Sequence, residues 1–141
     1  MSGGGVNGAW EAGVLWGFLN YGDPKDFEWD VVSGVSAGCI NAAGVGLWAK
    51  GTELEMVKWM DELWGKVKTA DIYQSWPGGA LLTGPFRQSF FDTAPGLKFF
   101  STLIEGQHAG KTGFQKKIVC DAVDSETGLI NALTEKTVPF D

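Results

Sequence analysis

A tight turn framed by two glycines, Gly34-Val35-Ser36-Ala37-Gly38, constrains the fold of this chain more than any other segment. The mostly apolar residues before it, Trp29–Ser33, predict a short strand. The residues after it, through Ala43, predict a helix rich in small side chains, which another backbone can approach closely. In the order strand, tight turn, helix, the Ser36 oxygen is held out from the backbone, where a base and a substrate can both reach it.

A second glycine segment, Ser2-Gly3-Gly4-Gly5-Val6-Asn7-Gly8, leads into a predicted helix over Ala9–Leu19 that stops near Gly22. This helix is apolar on most faces, so we expect it to be largely buried. Three consecutive glycines leave several backbone N–H groups unshielded at a helix start, which suits a carbonyl oxygen that becomes an anion. Acyl transfer needs both an activated oxygen and such N–H groups. The sequence therefore predicts Ser36 as nucleophile, Gly3, Gly4 and Gly5 as oxyanion hole, and Gly8, Gly34 and Gly38 as motif glycines.

The rest of the chain alternates between helix and strand patterns without a linker or repeat, so 141 residues predict a single α/β domain spanning residues 1–141. Thr52 and Glu55 predict a capping box ahead of an amphipathic helix with Met56, Met60, Leu63, Trp64 and Val67 on one stripe. A helix is expected from Asp92 through Ile104 after an irregular region, and two strands are expected around the turn Asp124–Gly128.

Composition excludes several classes of function. The net charge of −6 and the absence of a Lys and Arg cluster argue against a nucleic-acid partner. Neither a metal nor an organic cofactor is indicated, because no His, Cys or carboxylate cluster has ligand spacing. No apolar run approaches the length of a membrane span, and no signal peptide is recognisable.

The two cysteines, Cys39 and Cys120, are few and far apart and lie outside any Cys-x-x-Cys motif. We therefore expect no disulfide framework. Together with the absence of a secretion signal, this favours a reducing, intracellular compartment.

The glycine segments extend into longer motifs. Ser-Gly-Gly-Gly-Val-Asn-Gly-Ala with Glu-Ala-Gly-Val-Leu, then Gly-Val-Ser-Ala-Gly-Cys-Ile-Asn-Ala, resembles the patatin-like phospholipases, which are serine lipid acyl hydrolases. Phe91–Leu97 and Asp121–Gly128 are similar to further segments of that family. The resemblance implies a three-layer α/β/α fold, a lipid or fatty-acyl ester substrate, and a Ser-Asp dyad without histidine. By position it makes Ser36 the nucleophile and Gly3, Gly4 and Gly5 the oxyanion loop.

The sequence departs from that family pattern in two places. The family's catalytic aspartate lies in an Asp-Gly-Gly or Asp-Gly-Ala motif, and this chain contains no Asp-Gly pair; Asp141 is its last residue. Only Met1 and Ser2 remain to form the strand that leads into the glycine segment. We therefore expect an incomplete fold, without the first strand and the catalytic-aspartate region, and a poorly active chain.

Other interpretations stay open at this stage. Gly3, Gly5 and Gly8 also fit a dinucleotide fingerprint with Asp23 as its acid, and Ser36 could simply cap a helix. A serine esterase of the α/β-hydrolase type would use the single histidine, His108, as base with an acid such as Asp92. The neighbours of His108, Glu105–Gln107 and Ala109–Lys111, are more readily interpreted as an exposed loop that carries a solvated histidine. Asp92 and Asp121 are more readily interpreted as a helix cap and a strand-end residue. A non-catalytic lipid-binding remnant is a further alternative. Aromatic side chains fit core packing or a peripheral membrane contact, with Trp76 the best candidate for a lipid-facing loop.

Overall fold

The computed structural model describes residues 1–79, 81, 86–87, 91–108, 113–124 and 126–137. Two compact units are present, one formed by Met1–Gly65 with Gly110–Asp141 and the other by Lys66–Ala109. Within the first unit lie α1 (Asn7–Tyr21), β1 (Val31–Val35), α2 (Ala37–Gly46), α3 (Glu53–Lys66, whose last residue belongs to the second unit), β4 (Lys117–Val123) and β5 (Ile130–Thr134). The second holds α4 (Thr69–Ile72), β2 (Gln74–Ser75), β3 (Phe91–Asp92) and α5 (Ala94–His108).

Helix α1 ends where the sequence predicts. The N–H of Gly22 donates to the Phe18 carbonyl at 2.8 Å, and Pro24 then opens a short 3₁₀ turn over Pro24–Phe27. The prediction that this helix is largely buried is wrong, because only its residues Gly8, Ala12 and Leu19 are buried. Trp10 remains 72% exposed and Tyr21 85% exposed. The apolar composition of α1 therefore supplies an exposed apolar face as well as core contacts.

A mixed three-stranded sheet has the order β1-β4-β5. Strand β1 pairs with β4 in parallel, with Gly34 opposite Cys120 and Val35 opposite Asp121, and β4 pairs with β5 antiparallel. The two strands predicted around Asp124–Gly128 are confirmed. At their turn the Asp124 carboxylate accepts hydrogen bonds from the N–H groups of Glu126 and Thr127, which lower the pKa of Asp124.

The core of the first unit is one hydrophobic cluster to which α1, α2, α3, β1 and β4 all contribute side chains. Helix α2 is buried along most of its length, as its small residues predict, and Ala42 and Val45 are fully inaccessible. Met56 and Met60 of α3 are at most 1% exposed, and Leu63 is also buried, so the predicted stripe is confirmed at these three positions. Val57, which was not predicted, is buried as well. The predicted capping box is wrong, because the N–H and the hydroxyl of Thr52 both donate to the Ala49 carbonyl, at 3.2 Å and 2.7 Å, and in the described ranges neither is bonded to Glu55.

In the second unit, β2 and β3 form a short antiparallel pair next to α4 in the sequence, within the region predicted to be irregular. Helix α5 runs on to His108, so the prediction of a loop at Glu105–Gln107 is wrong. The Asp92 carboxylate accepts a hydrogen bond from Ala94 N at 3.0 Å and so caps the start of α5, as predicted. This bond, with one from the Gln74 amide, lowers the pKa of Asp92.

Cys39 and Cys120 form a disulfide, which contradicts the expectation drawn from their spacing. The parallel pairing of β1 with β4 explains the difference. It places Cys120 opposite Gly34, and the chain turns from there into α2, which brings the two Cα atoms to 5.3 Å. Two cysteines that are far apart in the sequence can form a disulfide when strand pairing places their Cα atoms within the distance that the bond requires.

Candidate active site

Ser36 lies between the end of β1 and the start of α2, in the predicted order of strand, turn and helix. Its φ of 55° and ψ of −124° make it the one non-glycine residue with a positive φ in the described ranges. Such a backbone costs about 1–3 kcal/mol and persists only where the surrounding structure imposes it. Ser36 is exposed, so the strained turn presents its hydroxyl outward.

Gly34 and Gly38 are required by close packing beneath that turn. A Cβ on Gly34 would overlap the carbonyl group of Gly38. A Cβ on Gly38 would lie 2.6 Å from the carbonyl carbon and oxygen of Met1 and from the Ser2 carbonyl oxygen. All of these neighbours are backbone atoms, so no side chain can move to make room. The two glycines thus let β1, α2 and residues 1–2 pass close together under Ser36.

We call residues Ser2–Gly8 the glycine loop. Gly4 and Gly5 have φ of 149° and 59°, a region that favours glycine. In the described part of the chain, the N–H groups of Gly3, Gly4 and Gly5 have no hydrogen-bond acceptor, whereas Asn7 N and Gly8 N bond back to the loop. A Cβ on Gly3 would lie 3.2 Å from the Ser36 Cβ and 3.3 Å from the Val35 carbonyl oxygen. The structure therefore brings the two predicted glycine segments together.

A cavity of about 330 Å³ opens beside the glycine loop and is lined by Ser2, Gly3, Asn7, Trp10 and Glu11. Its volume is at the lower end of the range of about 300–1,000 Å³ for small-molecule sites. Trp10 gives it an apolar wall, and the loop backbone gives it a polar one. Among the residues that the structure describes, no lysine or arginine lines this cavity.

The candidate acids and the candidate base for Ser36 are not brought to its hydroxyl within the described residues. Among the described residues the Ser36 hydroxyl has no hydrogen-bond partner. Asp121 is opposite Val35 in the sheet and lies inside β4, not at the end of the strand as predicted. His108 is the last residue of α5, and its side chain, like Asp141, lies outside the described part. Asp23, the acid of the alternative fingerprint, accepts a hydrogen bond from Lys25 N in its own turn.

Sequence reasoning missed three residues that join the glycine loop to α2. Asn41, 1% exposed, donates to the Gly8 carbonyl at 2.9 Å and to a Glu11 carboxylate oxygen at 3.1 Å. The indole N–H of Trp64 donates to the Asn41 carbonyl oxygen at 2.8 Å. The available signal was a lone amide, Asn41, in an otherwise apolar helix, because a buried amide requires partners.

A model of the patatin-like phospholipase family matches residues 1–138 of the chain, which include both glycine segments and all of the described strands. The chain belongs to this family. The predicted family and its α/β fold class are confirmed, and family membership implies lipid acyl hydrolysis and a lipid substrate at the level of the family. Comparisons with curated proteins and with solved structures return no match. In the described ranges, no helix of this patatin-like chain has the length and hydropathy to cross a bilayer.

Proposed function

We propose that this patatin-like chain carries the acyl-transfer half of a lipid hydrolase site, with Ser36 as nucleophile and the N–H groups of Gly3, Gly4 and Gly5 as oxyanion hole. The observation that carries the proposal is a strained, exposed serine next to a loop with three unpartnered N–H groups, within the described residues. A helix cap would account for neither the strain nor the free N–H groups. Exposed strain at a nucleophile is a recurrent feature of active sites.

The proposed chemistry is a two-step acyl transfer. Ser36 Oγ attacks the carbonyl carbon of an acyl ester while its proton passes to a base, and the carbonyl oxygen becomes an anion that the glycine-loop N–H groups bind. The carbon–oxygen bond to the alcohol then breaks, and the alcohol leaves with a proton. Water next attacks the acyl-serine, which releases the fatty acid and restores the hydroxyl. Each oxyanion donor is worth roughly 10²–10³ in rate.

The base is the weakest part of the site in this chain. The family resemblance implies an aspartate in an Asp-Gly motif, and the 141 residues contain no such pair. Within the described residues no carboxylate is hydrogen-bonded to Ser36. Loss of one member of a nucleophile and base pair costs on the order of 10⁴–10⁶ in rate, so we expect this chain to turn over esters slowly.

The substrate side of the proposal rests on the cavity next to the loop. The cavity is lined by Ser2, Gly3, Asn7, Trp10 and Glu11. Val6 and Trp10 are 84% and 72% exposed, so an apolar surface leads from solvent to this cavity. We propose that the acyl chain lies along this surface and that the same residues make a peripheral contact with a lipid aggregate.

A fluorophosphonate probe tests the nucleophile directly, because it phosphonylates an activated serine and remains attached. We expect slow formation of one adduct on Ser36, detected by intact mass and peptide mapping, in the wild type and in His108→Ala. Ser36→Ala should give none. Labelling lost in both variants would favour a serine esterase that uses His108. A wild type that never labels would favour a non-catalytic lipid-binding chain, and vesicle binding retained in Ser36→Ala would then identify it.

A further inference from the structure

A polar cluster centred on one buried amide lies between the glycine loop and helix α2, and the proposed chemistry does not use it. We call Glu11, Asn41 and Trp64 the amide cluster. Asn41 lies in α2, the helix that directly follows Ser36, and it is 1% exposed. A buried side-chain amide in an apolar helix is costly unless its donors and acceptor are satisfied.

The orientation of the Asn41 amide is fixed by its partners. An indole N–H can only donate, so the carbonyl oxygen of Asn41 must face Trp64 Nε1, at 2.8 Å. The amide nitrogen then faces two acceptors, the Gly8 carbonyl at 2.9 Å and Glu11 Oε2 at 3.1 Å. A flipped amide would place donor against donor at Trp64. Only one assignment satisfies all three contacts.

Glu11 extends the cluster to the other end of the loop. Its Oε1 accepts a hydrogen bond from Ser2 N at 2.5 Å, while its Oε2 accepts from Asn41. The glycine loop is thus held at Ser2 through the carboxylate and at Gly8 through the amide. Glu11 and Gly8 are both hydrogen-bonded to Asn41, so both ends of the loop are connected to α2, the helix that follows Ser36.

Close packing makes the connection stiff. A Cβ on Gly8 would lie 2.6 Å from the Trp64 ring and 3.2 Å from the Ala37 Cβ, so the loop end is wedged between α3 and the first residue of α2. A movement of the Asn41 amide would therefore shift Gly8 relative to Ser36. Donors that stabilise an oxyanion must be held close to the reacting oxygen, and small displacements reduce the rate.

We propose that Asn41 and Glu11 are positioning residues that fix the glycine-loop N–H groups relative to Ser36, an inference that rests on the proposed function. The alternative is that the amide cluster contributes only to stability. The two accounts predict different effects of a substitution that exchanges one nitrogen and one oxygen in the cluster. A structural role lowers stability alone, whereas a positioning role also slows the reaction of a folded, substrate-binding protein.

Two isosteric variants break the cluster. Asn41→Asp replaces the amide nitrogen by an oxygen that faces the Gly8 carbonyl and the Glu11 carboxylate, so acceptors oppose acceptors. Glu11→Gln leaves one oxygen for two donors, Ser2 N and the Asn41 amide. We expect each to lower the maximal fluorophosphonate labelling rate of Ser36 by about 10²-fold. For Asn41→Asp, which lies outside the cavity lining, the half-saturating probe concentration should change less than about threefold.

The exchanged pair, Asn41→Asp with Glu11→Gln, provides the rescue. In this double variant the amide nitrogen at position 11 can donate to the carboxylate at position 41, and the amide oxygen at position 11 can accept from Ser2 N. The carboxylate at position 41 still accepts from Trp64, so only the bond to the Gly8 carbonyl is lost. We expect the double variant to label at least about tenfold faster than Asn41→Asp alone, because the bond between positions 41 and 11 is restored with reversed polarity.

The matched control is Val45→Ala, a fully buried position on the same helix that contacts no part of the glycine loop through a polar group. It should lower the melting temperature without changing the labelling rate of the folded protein. Amide hydrogen exchange supplies a readout independent of reactivity. Exchange at Asn7 and Gly8, whose N–H groups donate to the Gly4 and Gly5 carbonyls, should rise about tenfold or more in Asn41→Asp and Glu11→Gln but not in Val45→Ala.

The outcomes separate the inference from the proposed function. If the wild type labels at Ser36 and both single variants label at the wild-type rate, the positioning role is wrong and the proposed function stands. A wild type that does not label removes the proposed function, and loop exchange then decides whether the cluster holds the loop. Unchanged exchange in both single variants, or no recovery in the double variant, would overturn the inference.

Discussion

The two ends of helix α2 are built in opposite ways. At its start, Ser36 has a strained backbone and a hydroxyl without a partner among the described residues, and three loop N–H groups beside it are equally unpaired. At its end, the Gly46 carbonyl accepts from Gln115 N at 2.7 Å. The Lys116 ammonium there donates to the Trp48 carbonyl at 2.7 Å and to Glu53 at 3.1 Å, with both charged side chains 1% exposed.

This difference indicates where the helix is anchored and, under the proposed function, where it would react. Glu53 uses its second oxygen to accept a hydrogen bond from Gly51 N at 2.7 Å, so the buried pair at the end of α2 is well satisfied. Burial of a charged side chain is very costly unless the charge is paired and hydrogen-bonded in this way. At the other end Ser36, Gly4 and Gly5 are exposed and Gly3 is half-buried, so water can reach the unpaired groups and leaving them unpaired costs little. The following predictions test this contrast.

Lys116→Met should produce the largest effect, because it leaves the Glu53 carboxylate buried without its cation. We expect a loss of about 3–5 kcal/mol in the free energy of unfolding, measured by urea denaturation. Lys116→Met with Glu53→Gln removes both charges, and it should recover part of the loss. Equal stability of the single and double variants would show that the unpaired charge is not the cause. Neither variant changes Ser36 or the loop, so any folded fraction should label normally.

Gly38→Ala should come next, at about 3 kcal/mol or a failure to fold, because the added methyl group meets only backbone atoms. Gly17→Ala is the matched control. Gly17 lies inside α1, and a Cβ there has no atom within 4 Å, so the change should stabilise the fold by about 0.5–1 kcal/mol through helix propensity. Similar unfolding midpoints for the two variants would contradict the packing account.

Ser36→Gly should raise stability by about 1 kcal/mol while it abolishes labelling, because glycine adopts the positive φ without strain. Ser36→Ala keeps the Cβ and therefore the strain, so it should abolish labelling without a comparable gain. Thermal unfolding of the two variants and the wild type provides the measurement. If Ser36→Ala gained as much as Ser36→Gly, the strain at this turn would not be the cause.

The smallest effect is expected from the exposed ion pair near the far end of α2, where Lys50 Nζ lies 2.6 Å from Asp30 Oδ1. The hydrogen bond from Lys50 lowers the pKa of Asp30 below its usual 3.8. The unfolded chain therefore binds more protons between the two pKa values. The stabilisation is present above about pH 4 and is lost as the pH falls through the lowered pKa. Asp30→Asn should be less stable than the wild type at pH 6, and the difference should shrink as the pH falls through the lowered pKa of Asp30; a constant difference would contradict the ion pair.

The local sequence pattern was enough to predict the strand, turn and helix around Ser36. Glycines on both sides of Ser36 predict the strand, turn and helix, and the overlap at Gly34 and Gly38 shows why no other residue fits. The stripe of Met56 and Met60 predicts the buried face of α3 in the same way. These features depend on residues close together in the sequence, where periodicity and steric exclusion determine the outcome.

Long-range pairing was not predictable in this way. The disulfide between Cys39 and Cys120 depends on the register of β1 with β4, and the hydrogen bond from Trp64 to Asn41 depends on how α3 packs on α2. Trp10 and Tyr21 resemble core residues in the sequence because an exposed apolar face and a buried one have the same composition. The contrast between the ends of α2 likewise appears only when β4 and the glycine loop are in place.

The most direct test of the central claim is the site of fluorophosphonate attachment, read by peptide mapping of the wild type, Ser36→Ala and His108→Ala. If the start of α2 is the reactive end, one adduct forms on Ser36 in the wild type and in His108→Ala, and none forms in Ser36→Ala. An adduct that persists in Ser36→Ala, disappears in His108→Ala, or never forms in the wild type would contradict that claim.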